Sequence, residues 1–146
     1  MNRWFGAGLL AVLLGTALGC GSKNDAAPVA GTVSVDGKPA DNATVTFIPQ
    51  GQTKGNGGSA LTDTTGRYEV INPRGGKGLS PGEYKVTVSY RRNADGSPPD
   101  PNTPPIESKA KETLPVTYAS PAATKLTASV PASGNQQLNF DLKVKK

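Results

Sequence analysis

Apolar and polar residues alternate with a period of two along six stretches of this chain. From Val29 to Val35, valines and a glycine alternate with alanine, threonine and serine. Such alternation turns one face of a β-strand to a core and the other to water, and β-branched and aromatic residues suit strands. The predicted strands are Val29–Val35, Ala43–Phe47, Arg67–Val70, Tyr84–Tyr90, Leu126–Val130 and Leu138–Val144, with a short seventh at Ala60–Thr62.

Turn-forming residues separate these stretches. Asp36-Gly37 is a strong hairpin signal, and Pro81-Gly82 fits a type II turn. Asp63 can hydrogen-bond the backbone two residues on, which is a better interpretation than calcium binding because that loop holds one carboxylate and calcium takes six to eight oxygens. Beyond residue 19 no stretch has helical spacing. We predict an all-β protein, a single seven-stranded antiparallel β-sandwich.

Two segments interrupt the alternation. Residues 50–58 form a polar, glycine-rich loop, and residues 93–108 contain five prolines, which predicts a mobile, extended loop with polyproline character. The apolar piece Leu114–Tyr118 follows, and we expect it to be ordered and to pack back onto the sandwich. Long loops of this kind are usually functional or disordered.

The N-terminus is typical of an export signal. Arg3 precedes an uncharged run from Trp4 to Leu18, which is short for a membrane span. Ala17-Leu18-Gly19-Cys20 then resembles the bacterial lipobox, and this resemblance implies cleavage before Cys20 and attachment of a diacylglycerol to its thiol. The alternatives are an ordinary secretory signal with an incidental thiol and an uncleaved anchor helix. We therefore predict a signal peptide at 1–19, a lipidated tether at 20–27 and one domain at 28–146.

Composition excludes several classes of site. The chain of 146 residues has no histidine and one cysteine, so it can hold no Ser-His-Asp triad, no histidine metal site and no intrachain disulfide. Its net charge is +5, but Arg91-Arg92 is the only basic doublet before the C-terminal lysines, and stacking aromatics are not interleaved with it. We expect no nucleic-acid binding, no cofactor and no metal. Single, scattered carboxylates give no recognisable catalytic set, so we expect no enzyme.

Three blocks of sequence resemble the carboxypeptidase regulatory-like domain, a transthyretin-type seven-stranded sandwich. They are Gly31–Phe47, Thr62–Tyr68 and Leu79–Val88, and the segment from Leu114 to Leu142 is similar to small bacterial lipoproteins built on that domain. The resemblance covers roughly residues 28–144. It implies a mostly non-catalytic domain and little about a ligand. Related adhesin sandwiches crosslink a lysine to an asparagine, but the first strand here has no lysine, so we predict no crosslink at Asn139.

The resulting functional expectation is an exported protein, lipid-anchored through Cys20 to the periplasmic or cell-surface face of a bacterial membrane. We expect a non-catalytic, structural or protein-contact module of the cell envelope, with membrane lipid as one partner and envelope proteins as others. The alternative is a module that binds a small ligand or glycan through loop aromatics, for which Tyr90 and Tyr118 are the candidates.

Overall fold

The computed structural model of this protein describes residues 26–144, and it contains ten strands and one helical turn there. Strands β1 (Ala30–Val35) and β2 (Lys38–Pro39) form a hairpin, and β7 (Arg91–Arg92) and β8 (Lys111–Glu112) close the proline-rich loop. The elements are β1 (Ala30–Val35), β2 (Lys38–Pro39), β3 (Thr44–Pro49), β4 (Gly58–Leu61), β5 (Arg67–Glu69), β6 (Gly82–Ser89), β7 (Arg91–Arg92), β8 (Lys111–Glu112), α1 (Val116–Ala119), β9 (Thr127–Val130) and β10 (Phe140–Leu142).

Two four-stranded sheets account for the fold. One has the order β4-β3-β6-β9. In the other, β1 is central and pairs with β10, β2 and β5: β2 pairs with the C-terminal end of β1 and β5 with its N-terminal half. The predicted all-β sandwich is confirmed. One pairing differs from the expected antiparallel pattern: β10 runs parallel to β1, with Val33 opposite Phe140 and Val35 opposite Leu142. The last strand therefore runs in the same direction as the first.

The core lies between the two sheets and contains most of the apolar positions that the alternation predicts. The Phe47 ring packs against Tyr68 and Tyr84, each at 6.2 Å between ring centroids, and Tyr68 stacks on Phe140. These contacts join β3 and β6 of one sheet to β5 and β10 of the other. The Tyr68 hydroxyl donates to the carbonyl of Leu138 at 2.6 Å, and burial raises the pKa of that phenol. Tyr68 and Tyr84 are thus core residues, as their period predicts.

The turns between strands match the sequence in two of three places. Asp36 and Gly37 both have positive φ, 50° and 79°, and form the two-residue turn of the β1–β2 hairpin. The Asp63 carboxylate accepts from the backbone N–H of Thr65, as expected. The predicted type II turn at Pro81-Gly82 is wrong, because Gly82 has a φ of 151° and already belongs to β6, where it pairs with Val130 of β9. A Cβ at Gly82 would lie 2.4 Å from the Thr53 hydroxyl, so the glycine serves close packing.

The segment after the proline-rich loop packs back on the sandwich as predicted. Leu114 is 5% exposed and belongs to the core, and α1 follows directly after Pro115. The helical turn was not visible as a periodic pattern because it has only four residues. It packs against β6.

The chain enters the sandwich at one end, which we call the entry end. Ala27 is buried and exchanges two backbone hydrogen bonds with Leu79, and the Asn135 N–H donates to the carbonyl of Pro28. The loops of residues 50–57, 71–81 and 131–137 meet there. The opposite, far end carries the β1–β2 turn and the loop of residues 93–110. Ala27 thus belongs to the sandwich, although sequence reasoning placed it in the tether.

Candidate functional site

The first candidate ligand residue, Tyr90, is part of a side-chain cluster at the far end. The guanidinium carbon of Arg92 lies 4.0 Å from the centre of the Tyr90 ring. Arg92 donates through Nη2 to both the carboxylate and the backbone carbonyl of Asp41, each at 2.5 Å, and the Tyr90 hydroxyl donates to the same carboxylate at 3.4 Å. This cluster joins the β2–β3 connection to β7.

The Arg92 side chain is 9% exposed, whereas Asp41 is 35% exposed. The Nη1 atom of Arg92 is buried and has no hydrogen-bond partner among residues 26–144. A guanidinium enclosed in this way pairs with Asp41 and stacks on Tyr90, and an external ligand has no open path to Nη1. The cluster holds the start of the proline-rich loop in place, and the Arg92 guanidinium covers one face of the Tyr90 ring.

A second set of contacts fixes the base of the proline-rich loop. One oxygen of the Glu112 carboxylate accepts from the backbone N–H groups of Tyr90, Thr113 and Leu114 at 2.9–3.0 Å, and the other accepts from the Ser89 hydroxyl at 2.6 Å. Arg91 donates to the carbonyl of Ala110 at 2.6 Å. Both ends of the loop are thereby held beside β6.

The loop itself folds as a series of turns, which differs from the extended polyproline conformation expected. Asn93 and Ser97 form one turn and Asp100 and Thr103 another, and Asp95 accepts from the backbone and hydroxyl of Ser97. Prolines start turns as readily as extended segments when small polar residues with side-chain acceptors stand beside them. Within this loop the side chain of Ile106 is 94% exposed.

The second candidate, Tyr118, lies on α1. Its ring is half-buried and packs against the core, as does that of Tyr90. Neither tyrosine lines the groove or the crevice described next. The glycan platform considered from sequence is therefore not assembled from these two rings at either place.

An open apolar groove crosses the outer face of β3 and β4, and sequence reasoning did not identify it. It has a volume of about 850 Å³ and is lined by Ile48, Leu61 and Ile71, among others. Leu61 is 60% exposed and Ile71 is 52% exposed. The alternation of β4 does place Leu61 outward, which was the available signal, but Ile71 lies beyond β5 and only the bridge between Ser59 and Ile71 brings it alongside.

A smaller polar crevice of about 370 Å³ lies at the entry end. Ala26 lines it together with Arg74, Lys77 and the two glycines between them. Asn72 organises this turn: its side-chain oxygen accepts from the N–H groups of Arg74 and Gly76 at 3.0 and 3.2 Å. The crevice therefore presents basic side chains beside the point where the chain enters.

Asp63 and Asp95 are each held in hydrogen bonds to residues close in sequence. One oxygen of Asp63 accepts from the hydroxyl and N–H of Thr65 and from the N–H of Arg67, and these bonds lower the pKa of the Asp63 carboxyl below its ordinary value. Asn139, considered for a crosslink, accepts from the N–H and hydroxyl of Thr32 through its side-chain oxygen. Within residues 26–144 no three Cys, Asp or Glu side chains cluster as metal ligands would.

The predicted lipidation site, Cys20, lies outside the described residues. Over residues 26–144, no helix is long and apolar enough to cross a membrane. Comparisons with protein-family models, curated proteins and solved structures gave no match to this chain. The resemblance to the carboxypeptidase regulatory-like domain therefore stays a prediction.

Proposed function

We propose that this protein is a non-catalytic module of the bacterial cell envelope, anchored to a membrane by lipid on Cys20. The observation that carries the proposal is the place of the only cysteine, directly after an apolar run and the small residues Ala17-Leu18-Gly19. A lone thiol in an exported protein is otherwise a liability, and two acyl chains hold a protein stably on a bilayer. The family proposed for the domain is the carboxypeptidase regulatory-like sandwich.

The arrangement of the far end supports a role in contact with other proteins. The loop of residues 93–110 is fixed at its base by Arg92 and Glu112, and it carries the exposed side chain of Ile106 outward. A preorganised loop loses little conformational entropy on binding, which favours its use as a contact surface. The carboxylates at Asp41, Asp63 and Glu112 are already engaged in structural hydrogen bonds, which argues for a scaffold.

The mass of the protein extracted from membranes of its host tests this proposal. We expect the mass of residues 20–146 plus acyl chains, and we expect Cys20→Ser to remain unprocessed and unacylated. Wild-type protein recovered in soluble form, unmodified and cleaved elsewhere, would contradict the lipid anchor.

The apolar groove supports a second candidate, the binding of a small ligand. Leu61 and Ile71 expose apolar surface in a concave site, which suits an apolar ligand better than a glycan. Titration with 8-anilinonaphthalene sulfonate, with Leu61→Asp as the comparison, measures this. Saturable binding lost in the variant supports the second candidate, and binding that the variant leaves unchanged argues against it.

A further inference from the structure

The entry point of the chain is fixed on the sandwich. Ala27 is 3% exposed and is held to Leu79 by backbone hydrogen bonds of 2.7 and 2.9 Å. A Cβ at Gly78 would lie 2.1 Å from the carbonyl oxygen of Ala27, and one at Gly134 would lie 2.4 Å from that of Pro28. The neighbouring loops thus enclose the entering segment tightly, and the direction from which the chain arrives is set by the fold.

If Cys20 carries lipid, as proposed above, only the residues from Cys20 to Ala26 separate the bilayer from the domain. An extended chain spans about 3.3–3.6 Å per residue, so this tether reaches about 25 Å at most. Electrostatic attraction between exposed charges extends about 8–10 Å at physiological salt. A tether of this length holds the entry end where charges on it and on the lipid headgroups can meet.

The loops of the entry end are basic. Residues 50–57, 71–81 and 131–137 contain Lys54, Arg74 and Lys77 and no carboxylate. The nearest carboxylates are Glu69, which is paired with Lys77 at 3.0 Å, and Glu83, which accepts a hydrogen bond from Ser129. Lys54 and Arg74 are exposed and form no ion pair among the described residues.

The remaining carboxylates of the described chain lie away from this end. These eight carboxylates belong to the far-end turns, to the loop of residues 93–110, or to the strands beside them: Asp36, Asp41, Asp63, Asp95, Asp100, Glu107, Glu112 and Asp141. In the tether, Lys23 and Asp25 offset each other. Charge is therefore distributed along the sandwich so that the end nearest the anchor lacks negative loops.

The basic residues stand beside exposed apolar ones. Ile71, 52% exposed, forms a bridge with Lys77 across the turn, and the exposed Pro73 directly precedes Arg74. Arg74 and Lys77 also line the crevice into which Ala26 leads. Basic and apolar side chains that share one surface suit the headgroup layer of a bilayer, where each meets its preferred surroundings.

We propose that the entry end is a membrane-docking surface for anionic phospholipid headgroups, formed by Lys54, Arg74 and Lys77 with Ile71 and Pro73 at the interface. This inference rests on the proposed lipid anchor. Lys54 and Arg74 bind headgroup phosphates, and the tether supplies the high local concentration that makes so few charges sufficient. The far end, with the proline-rich loop, then points away from the bilayer.

The test uses the full acylated protein, reconstituted in vesicles of phosphatidylcholine alone or of phosphatidylcholine with phosphatidylglycerol. Acyl groups are verified by mass first, and because they block the only native thiol, a fluorophore can be placed on Gln52→Cys at the entry end or on Ala94→Cys at the far end. Both positions are exposed. Quenching by lipids that carry a quencher in the headgroup reports proximity to the bilayer.

We expect the position-52 label to be quenched more strongly in phosphatidylglycerol vesicles, reversibly with salt, and the position-94 label to be unaffected. A basic residue near an anionic surface contributes about fivefold to association, so K54Q with R74Q should lower the docked-to-undocked ratio roughly 25-fold. The matched control is K109Q with K111Q at the far end, which should leave quenching unchanged.

Two results would overturn the proposal in distinguishable ways. Docking is contradicted, and the anchor is left intact, if the position-52 label of the acylated protein is quenched equally in both kinds of vesicle. It is equally contradicted if the two double variants change this quenching to the same extent. Protein that carries no acyl group contradicts the proposed function and the docking that depends on it. Thermal unfolding of both double variants at the wild-type temperature excludes misfolding as the cause of a loss.

Discussion

Replacing one buried hydroxyl, that of Thr62, should destabilise the sandwich strongly. The Thr62 hydroxyl accepts from the backbone N–H of Ala43 at 2.8 Å and donates to the carbonyl of Ala40 at 2.5 Å. Thr62 is 3% exposed, and both alanines are fully buried. The hydroxyl thus joins the end of β4 to the connection that carries the chain from one sheet to the other.

Thr62→Val keeps the shape of the side chain and removes both hydrogen bonds. Each buried backbone group left without a partner costs about 1–3 kcal/mol, so we expect a loss of about 2–5 kcal/mol in the free energy of unfolding. For a domain of this size that corresponds to a fall in Tm of about 10–20 °C. Thr62→Ser retains both hydrogen bonds and loses one methyl group, which costs about 1 kcal/mol.

Urea unfolding followed by far-ultraviolet circular dichroism measures both variants against the wild type. A shift of the midpoint with an unchanged slope shows that stability alone has changed. The reasoning is refuted if the valine variant is as stable as the serine variant, because the two hydrogen bonds would then contribute no net stability.

Three further changes test other parts of the fold by the same urea assay. Gly31→Ala should cost at least about 2 kcal/mol, because its Cβ would lie 1.9 Å from the Leu138 carbonyl oxygen, which is backbone and cannot rotate away. Hydrogen bonds from Thr65 lower the pKa of the Asp63 carboxyl in the folded state below its ordinary value of 3.8. The stability that the ionised carboxylate contributes above pH 3.8 is therefore lost as the pH falls through the folded-state pKa. The variant D63N should lose less stability over the same pH range. Arg92→Lys should cost about 1–3 kcal/mol, because an ammonium cannot reproduce the guanidinium's stacking and paired contacts, whereas the same change at an exposed arginine should cost almost nothing.

The strands could be predicted because the residues that specify each strand and turn are neighbours in the sequence. The alternation around Val45 and Phe47 specifies both the strand and its buried face, and Asp36-Gly37 specifies the turn that its positive φ angles require. The same reasoning predicted a short strand at Ala60–Thr62, although it gave no reason to expect a groove beside Leu61.

Contacts between distant parts of the chain could not be predicted in this way. Arg92 meets Asp41 across 51 residues, and the parallel pairing of β1 with β10 joins the two ends of the domain. Neither leaves a periodic trace in the sequence. The turn predicted at Pro81-Gly82 was wrong because a glycine that suits a turn also permits the close approach of Thr53. Only the packing of the folded chain distinguishes these two roles of the glycine.

The parallel pairing of β1 and β10 determines how the domain bears mechanical force. Because β1 leaves the entry end and β10 runs beside it in the same direction, opposite pulls on the chain before Ala30 and on the chain beyond Leu142 slide the two strands along each other. In this shear geometry the backbone hydrogen bonds are loaded together, along with the bond from the Ser34 hydroxyl to Asp141 at 2.8 Å. An antiparallel last strand would instead be peeled off one bond at a time. The parallel pairing of its first and last strands therefore lets the sandwich resist tension applied between its two chain ends.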